Sequence, residues 1–437
     1  MIPTRCAALL AFAGLAWPAA AADLLGVYRD SLVSDPGYRA ARAQYNAGRE
    51  RLPQARAGYL PFVSGSAGAY RNSLDRNEGP DLNYSNQTYS LTLTQPVLRV
   101  QNWVAISQAE QQLLQVEAAF AAAGQDLILR VAQAYFDVLL AQDNVALSEA
   151  QKKAIAEQLA QARRNFEVGT ATIVDTLEAQ ARFDQASAKE IADKNDLEVR
   201  KRALQQLVGK PIDNLVPLKE PLQLAQPSPD NIEAWVSTAG EGSLNVAIAR
   251  AALEIGRREV DRVRAGHLPT VDLAASYTHN RNPNLASGIG TLAQSTATAG
   301  LVLSVPIFSG GLTQSRVREA VALRDKAQED LENTQRTVAQ AVRQQFLNVT
   351  SGIAQVRALE QALASTQSQL DSTILGRDVG VRTSVDVLNA QQQVFQTRRD
   401  LQAARYAFLL NTLRLKAATG ALAEPDLEQV SRALGRG

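Results

Sequence analysis

Side chains capable of acid, base or ion-pair chemistry gather around two glycine-bearing turns. Asp175 follows Val168-Gly169-Thr170, and Arg377, Arg382 and Asp386 bracket Val379-Gly380-Val381, with Asn389 one helical turn further on. Carboxylates and guanidiniums so placed can form charge-assisted bonds. On spacing alone they are ordinary solvated pairs, which contribute little. No other constellation offers more. The two histidines, His267 and His279, flank a predicted strand and meet no carboxylates at metal-ligand spacing. Gly288-Ile289-Gly290 lacks the strand–helix context of a phosphate cradle. Asn348-Val349-Thr350 is a glycosylation sequon inside a predicted helix. No Ser/His/Asp, Cys/His or paired-carboxylate set stands out, so the expectation is no enzyme, no metal and no cofactor.

The elements that carry the two turns occur twice. Ala57-Gly58-Tyr59-Leu60-Pro61 is answered by Ala265-Gly266-His267-Leu268-Pro269, and Leu93-Thr94-Gln95-Pro96-Val97 by Leu303-Ser304-Val305-Pro306-Ile307. Val174-Asp175-Thr176-Leu177 recurs as Val385-Asp386-Val387-Leu388. The copies lie roughly 210 residues apart, far beyond the roughly 20–50 residues of a solenoid repeat. A whole structural half is duplicated. The chain divides into a signal peptide (1–22), a first repeat (23–210), a Pro-rich linker (211–243), a second repeat (244–424) and a tail (425–437).

Between Pro96 and Pro211, and again between Pro306 and Pro425, there is no proline, and good helix formers fill both stretches. Leu127, Val131, Ala134, Val138, Ala141, Val145, Ser148, Lys152, Ile155, Leu159, Ala162 and Phe166 alternate steps of four and three. Val338, Val342, Gln345 and Val349 onward keep that phase in the second copy. This is a coiled-coil seam. Many seam positions are small or polar, which predicts close helix packing without one large apolar core. The glycine turns fold each stretch into a hairpin with arms of roughly 50–70 residues, or about 75–100 Å. A short helix is expected around Ile232–Thr238.

Two extended segments precede each hairpin. Tyr89, Leu91 and Leu93 alternate with Ser90, Thr92 and Thr94, and Val271, Leu273, Ala275 and Tyr277 form one apolar face. Ala299, Leu301 and Leu303 alternate with polar or small neighbours, apart from Val302. Each segment is about ten residues long, the length of a membrane-spanning strand. The N-terminus reads as a cleaved export signal, with Arg5, an apolar run from Ala7 to Trp17, and Ala19–Ala22 before Asp23. Cys6, the single cysteine, leaves with it. No later apolar run approaches the length of a spanning helix. A net charge of +1 argues against nucleic acid. Lipid tolerates no open sheet edge, and four strands cannot close, so copies must share a barrel. Two copies give eight strands and three give twelve; the strands alone leave both open.

The Leu-Pro-x-Val strand entries, the Gln95-Pro96-Val97 exit, Val305-Pro306-Ile307-Phe308-Ser309-Gly310-Gly311 and Val379-Gly380-Val381-Arg382-Thr383-Ser384-Val385-Asp386 resemble the TolC family of outer-membrane exit ducts, as does Ala404-Arg405-Tyr406. The resemblance runs from about Leu24 to about Leu427. It implies a mixed α/β membrane protein: a homotrimeric twelve-stranded β-barrel in outer-membrane lipid, continued by a coiled-coil α-helical barrel across the periplasm. Each chain supplies four strands and two helical hairpins. It further implies a passive conduit for type I protein secretion or tripartite drug efflux, recruited by an inner-membrane ABC or RND-type pump through a periplasmic adaptor. Asp386 stands at an aperture ring position. Asn389 stands at the second ring position, where the type member is acidic. Arg382 matches a tip-closing arginine and Asp175 its acidic partner, while Arg377 replaces a latching tyrosine. Val168–Thr170 and Val379–Val381 match the adaptor-seating turns. A trimeric coiled-coil surface adhesin with a barrel anchor is the alternative. It would carry its strands once, at the C-terminus, on a stalk that does not return.

Overall fold

Alternation at period two is the pattern of a sheet with unlike faces. The computed structural model describes residues 22–75, 77, 81–212, 214–283 and 291–435. The expected signal, apart from Ala22, and the Gly288-Ile289-Gly290 fragment lie outside the described residues. Strands β1 (Phe62–Leu74), β2 (Leu82–Leu98), β3 (Thr270–Pro283) and β4 (Thr291–Ser304) form one antiparallel sheet in the order β1-β2-β3-β4.

The register decides what the faces are. Directly paired residues share a face. Val63, Leu93, Ala275 and Ala299 stand in one row, and Gly65, Leu91, Tyr277 and Ala297 in the next. The opposite face carries Ser64, Thr92, Ser276 and Thr298, then Ser66, Ser90, Thr278 and Thr296. Among the described residues nothing covers the apolar face: Leu301 and Leu303 are 70% and 64% exposed. The strands run to 13, 17, 14 and 14 residues, longer than the expected ten. The excess lies in polar extensions such as Arg71↔Ser85 and Asn280↔Gln294, where ladder bonds form as readily in water.

The helices, in chain order, are α1 (Leu24–Ser34), α2 (Pro36–Arg49), α3 (Arg51–Ala57), α4 (Val100–Glu167), α5 (Ile173–Val208), α6 (Ile232–Gly242), α7 (Leu244–Arg264), α8 (Leu312–Asp378), α9 (Ser384–Ala418) and α10 (Glu424–Ala433). A bidentate pair, Arg99 Nε and Nη2 to Asp272 Oδ1 and Oδ2 at 2.8 and 2.7 Å, ties the start of α4 to β3. The hairpin arms are unequal, which corrects the sequence expectation. The outgoing helices α4 and α8 have 68 and 67 residues, about 100 Å each, but the returning α5 and α9 only 36 and 35. Gly209 and Pro211 stop α5 early. Beyond that level α7 packs between α4 and α8 in place of a return arm, and α2 and α3 lie on α4.

Burial follows the predicted seam from Leu127 to Ala162. Its polar break at Lys152 is answered across the first hairpin, where Lys152 Nζ meets Glu190 Oε2 at 2.8 Å and Lys194 links Glu190 to Glu149. Below mid-height the packing is as expected, in small clusters such as Leu159, Ala162 and Ala179. At mid-height it is not. There α1, α4, α5, α6, α7, α8, α9 and α10 share one large apolar core, containing Leu127, Tyr135, Val342, Phe346, Leu413 and Leu427. Helices with neighbours on several sides bury more than one stripe, and Phe346 and Ile353 join the seam there.

The Pro-rich linker girdles this core. Leu215 bridges Ala22 and Leu218 bridges Leu434 in short β contacts. Tyr135, with no exposed surface, accepts a hydrogen bond from the Val216 N–H at 3.0 Å, and its hydroxyl lies 3.1 Å from the Ala22 carbonyl. Arg405, buried, reaches Glu220 of the linker and Glu360 of α8. Beside it Tyr406 donates to Asp143 at 2.8 Å, and burial pushes both groups above their usual pKa.

Tyr135→Phe leaves the Val216 N–H with only a long 3.4 Å bond to the Ala22 carbonyl, a loss of about 1 kcal/mol. Urea denaturation followed by circular dichroism should show that loss, together with faster proteolysis of residues 211–231.

Candidate functional site

The tip is built by the same backbone device in both hairpins. Helix α4 is capped by Val168, and Gly169 takes φ of 77°; α8 is capped by Val379, and Gly380 takes φ of 80°. This left-handed conformation is open to glycine without strain, and it reverses the chain. The carbonyl of Asn165 accepts from Thr170 N–H at 2.8 Å, and that of Gly376 from Val381 N–H at 2.9 Å. Each return helix then opens on a capping box. Thr172 N–H donates to Asp175 Oδ2 at 2.9 Å while Asp175 N–H donates back to Thr172 Oγ1 at 3.3 Å. Thr383 and Asp386 repeat this at 2.9 and 3.2 Å. The signature Thr-x-x-Asp stands in the sequence at both places, and it is the local signal for this feature.

The boxes fix the equivalence between hairpins. Asp175 and Asp386 hold the same structural position, as do Gly169 and Gly380. Counting from these anchors, Arg377 corresponds to Phe166 and Arg382 to Ala171. At these two positions the second copy carries guanidiniums and the first does not, whereas Arg163 and Arg164 of the first answer to Ile374 and Leu375 of the second.

Thr172, first by its hydroxyl and then by its N–H, holds the Asp175 carboxyl below the usual range. The Thr383 N–H, then its hydroxyl, and the positive charge of Arg382 do the same for Asp386. Arg377 bonds its neighbour Asp378, Nη2 to Oδ1 at 2.8 Å. The stem of Arg382 lies over Gly376, where an added Cβ would stand 2.8 Å from its Cγ. Within one protomer no ion pair joins Asp175 to Arg377 or Arg382 among the described residues. All three nonetheless line one polar cleft of about 380 Å³ between the hairpins, with Gln158, Asn165 and Thr383. Arg382 also borders a second groove of about 800 Å³ that contains Asp386 and Asn389. Val168, Val379 and Val381 are exposed at 72%, 66% and 75%, so both turns present apolar side chains at the extremity.

Two residues at this end carried no local sequence signal. Arg182 of α5 bonds Asn389 and Gln392 of α9, and Gln158 of α4 bonds Gln391. Such pairings across hairpins depend on which helices become neighbours.

Known proteins agree with this architecture. The model of a family described as outer membrane efflux protein matches residues 27–210 and 235–421. The outer membrane protein TolC of Vibrio cholerae is 32% identical over 415 residues, covering 95% of this chain and 94% of its own. The alkaline protease secretion protein AprF of Pseudomonas aeruginosa is 33% identical over 420 residues, with 94% and 87% covered. The crystal structure of the outer membrane protein VceC from Vibrio cholerae superposes with a TM-score of 0.77 over 91% of this chain and 96% of that one, at 21% identity.

Removing a cap, by Thr172→Ala or Thr383→Ala, should cost about 1 kcal/mol locally and lower amide protection in the first turn of α5 or α9. Acid should act in the same place. Both carboxyls titrate below their unfolded value of about 3.9, so the caps are complete above that pH and fail only as pH falls further. Protection factors at those amides, measured from neutral pH to mild acid, should stay flat until then.

Proposed function

The chain belongs to the outer membrane efflux protein family, the TolC family, and from that premise we propose that it is an outer-membrane exit duct for secreted proteins, drugs or both. Channels of this family are homotrimers that work with an adaptor and an inner-membrane pump. Three copies of the open sheet close a twelve-stranded barrel, apolar face to lipid and polar face to the lumen. The hairpins continue it as a helical tube through the periplasm, and the leader within residues 1–22 serves for export, Ala22 itself pairing with Leu215 in the fold. The repeats 23–210 and 244–424 act as near-equivalent wall units, joined by 211–243 and followed by 425–437. The duct performs no catalysis, and its partner supplies the energy and selects the cargo. What carries this reading is the single open sheet of unlike faces set directly on helices about 100 Å long. The adhesin alternative is not favoured, because the strands occur internally in both repeats and both hairpins return.

The tip is the gate in this reading. Asp175, Arg377 and Arg382 share a cleft in which charge-assisted bonds between protomers hold the aperture closed. Asp386 supplies one ring of three carboxylates, and Asn389 leaves the second ring neutral, which weakens cation binding at the mouth. The turns Val168–Thr170 and Val379–Val381 seat the adaptor through their exposed valines, with Val174, Leu177 and Leu375 exposed beside them. An ABC or RND-type pump completes the assembly, and crosslinking from these turns followed by pull-down would identify the adaptor.

Arg382→Ser in planar bilayers should raise single-channel conductance several-fold over the native channel. Unchanged conductance would remove Arg382 from the gate.

A further inference from the structure

Contacts between the two hairpins thin out toward the tip. Higher up, α9 joins the common core through Tyr406, Phe408 and Leu413. Nearer the turns Leu388 of α9 is buried with Ile155 of α4 and Ala186 of α5. Two polar ties flank it. Gln158 Nε2 donates to Gln391 Oε1 at 2.9 Å. Arg182 spreads its fork over α9, Nη1 to Gln392 Oε1 at 2.9 Å and Nη2 to Asn389 Oδ1 at 3.0 Å. Below these, residues 376–388 of the second hairpin make no hydrogen bond to the first among the described residues.

We propose that Arg182 is a latch residue that holds α9 against α5 within each protomer and must let go when the tip opens. The proposal rests on the reading of the tip as a gate. Asn389 and Gln392 are three residues apart on a helix, so their side chains share a face. One rigid guanidinium serves both from separate nitrogens in a fixed fork, whereas a lysine has a single nitrogen on a flexible stem. The acceptors are neutral amides, and Arg182 keeps 29% of its side-chain surface exposed, so water can take over either bond. A carboxylate at position 389 would turn the contact into an ion pair, harder to release than a bond to a neutral amide. The neutral residue at that ring position then has a second consequence: it keeps the latch reversible. Glu178, 3.9 Å from Arg182 on the same helix, keeps the guanidinium charge compensated in either state.

Single-channel conductance of the full-length protein in planar bilayers tests this. Arg182→Ala and Arg182→Lys should both raise conductance several-fold, since Lys keeps the charge and loses the fork. Asn389→Asp should lower it, and that fall should vanish in the Arg182→Ala background. An Arg182→Ala protein with native conductance would overturn the latch, and so would an Arg182→Lys protein identical to native. Equal effects of Asn389→Asp with and without Arg182 would do the same. Should Arg182→Ala fail to insert, Asn389→Asp alone decides, because unchanged or increased conductance there also rejects the latch. A native protein that forms no channel at all would instead reject the duct reading itself.

Discussion

An unpaired sheet edge has no place in lipid, and this chain has two, along β1 and β4. Each buried unpaired amide or carbonyl there would cost several kcal/mol. The chain is therefore incomplete as a single copy, and its other features accommodate that fact. The sheet alternates so that closure puts apolar rows outward. The long helices are set at the ends of the strands, so that whatever number of copies closes the sheet also closes the tube. Arg99 and Asp272 stiffen the joint between the two.

Stability along the tube is uneven, and the unevenness is useful. At mid-height the linker, α1, α6, α7 and α10 add neighbours to the four long helices, and bulky apolar side chains fill the space. Toward the tip only α4, α5, α8 and α9 remain, and the buried apolar residues fall into small separate clusters of Leu, Val, Ile and Ala. Small clusters bury less area than the mid-height core, so less free energy resists separation of the helices. The gradient suits the gate proposed at that end, since moving elements are drawn from the weakly held part of a structure.

Much of this was legible in the residues themselves. The duplication, the strand parity and the helical seam are local patterns with fixed periods, and they survive in the fold because nothing competes with them. The unequal arms were not legible. The glycine turns imply arms of comparable length, although Gly209 and Pro211 end α5 well short of the length of α4. The mid-height core was missed for a related reason. A seam read along one helix cannot reveal that Phe346 and Ile353, off that seam, meet further helices brought in from distant sequence. At the tip, Asp175 and Asp386 were singled out for charge, whereas each is also the N3 residue of a capping box. Arg182 is a surface arginine by pattern and acquires meaning only from its neighbour in space.

The parity of the strands has a consequence for how such a chain can change over generations. A one-residue insertion within a strand turns the rest of that strand's apolar row toward water and its polar row toward lipid. In a three-copy wall the fault is inherited by every sector, so no sound copy remains to compensate. Length variation should therefore accumulate beyond the strand ends, in the connections after Leu74 and Pro283, while the strands accept substitutions but not slips. The barrel is in that sense a triplicate text, in which spelling can drift and spacing cannot.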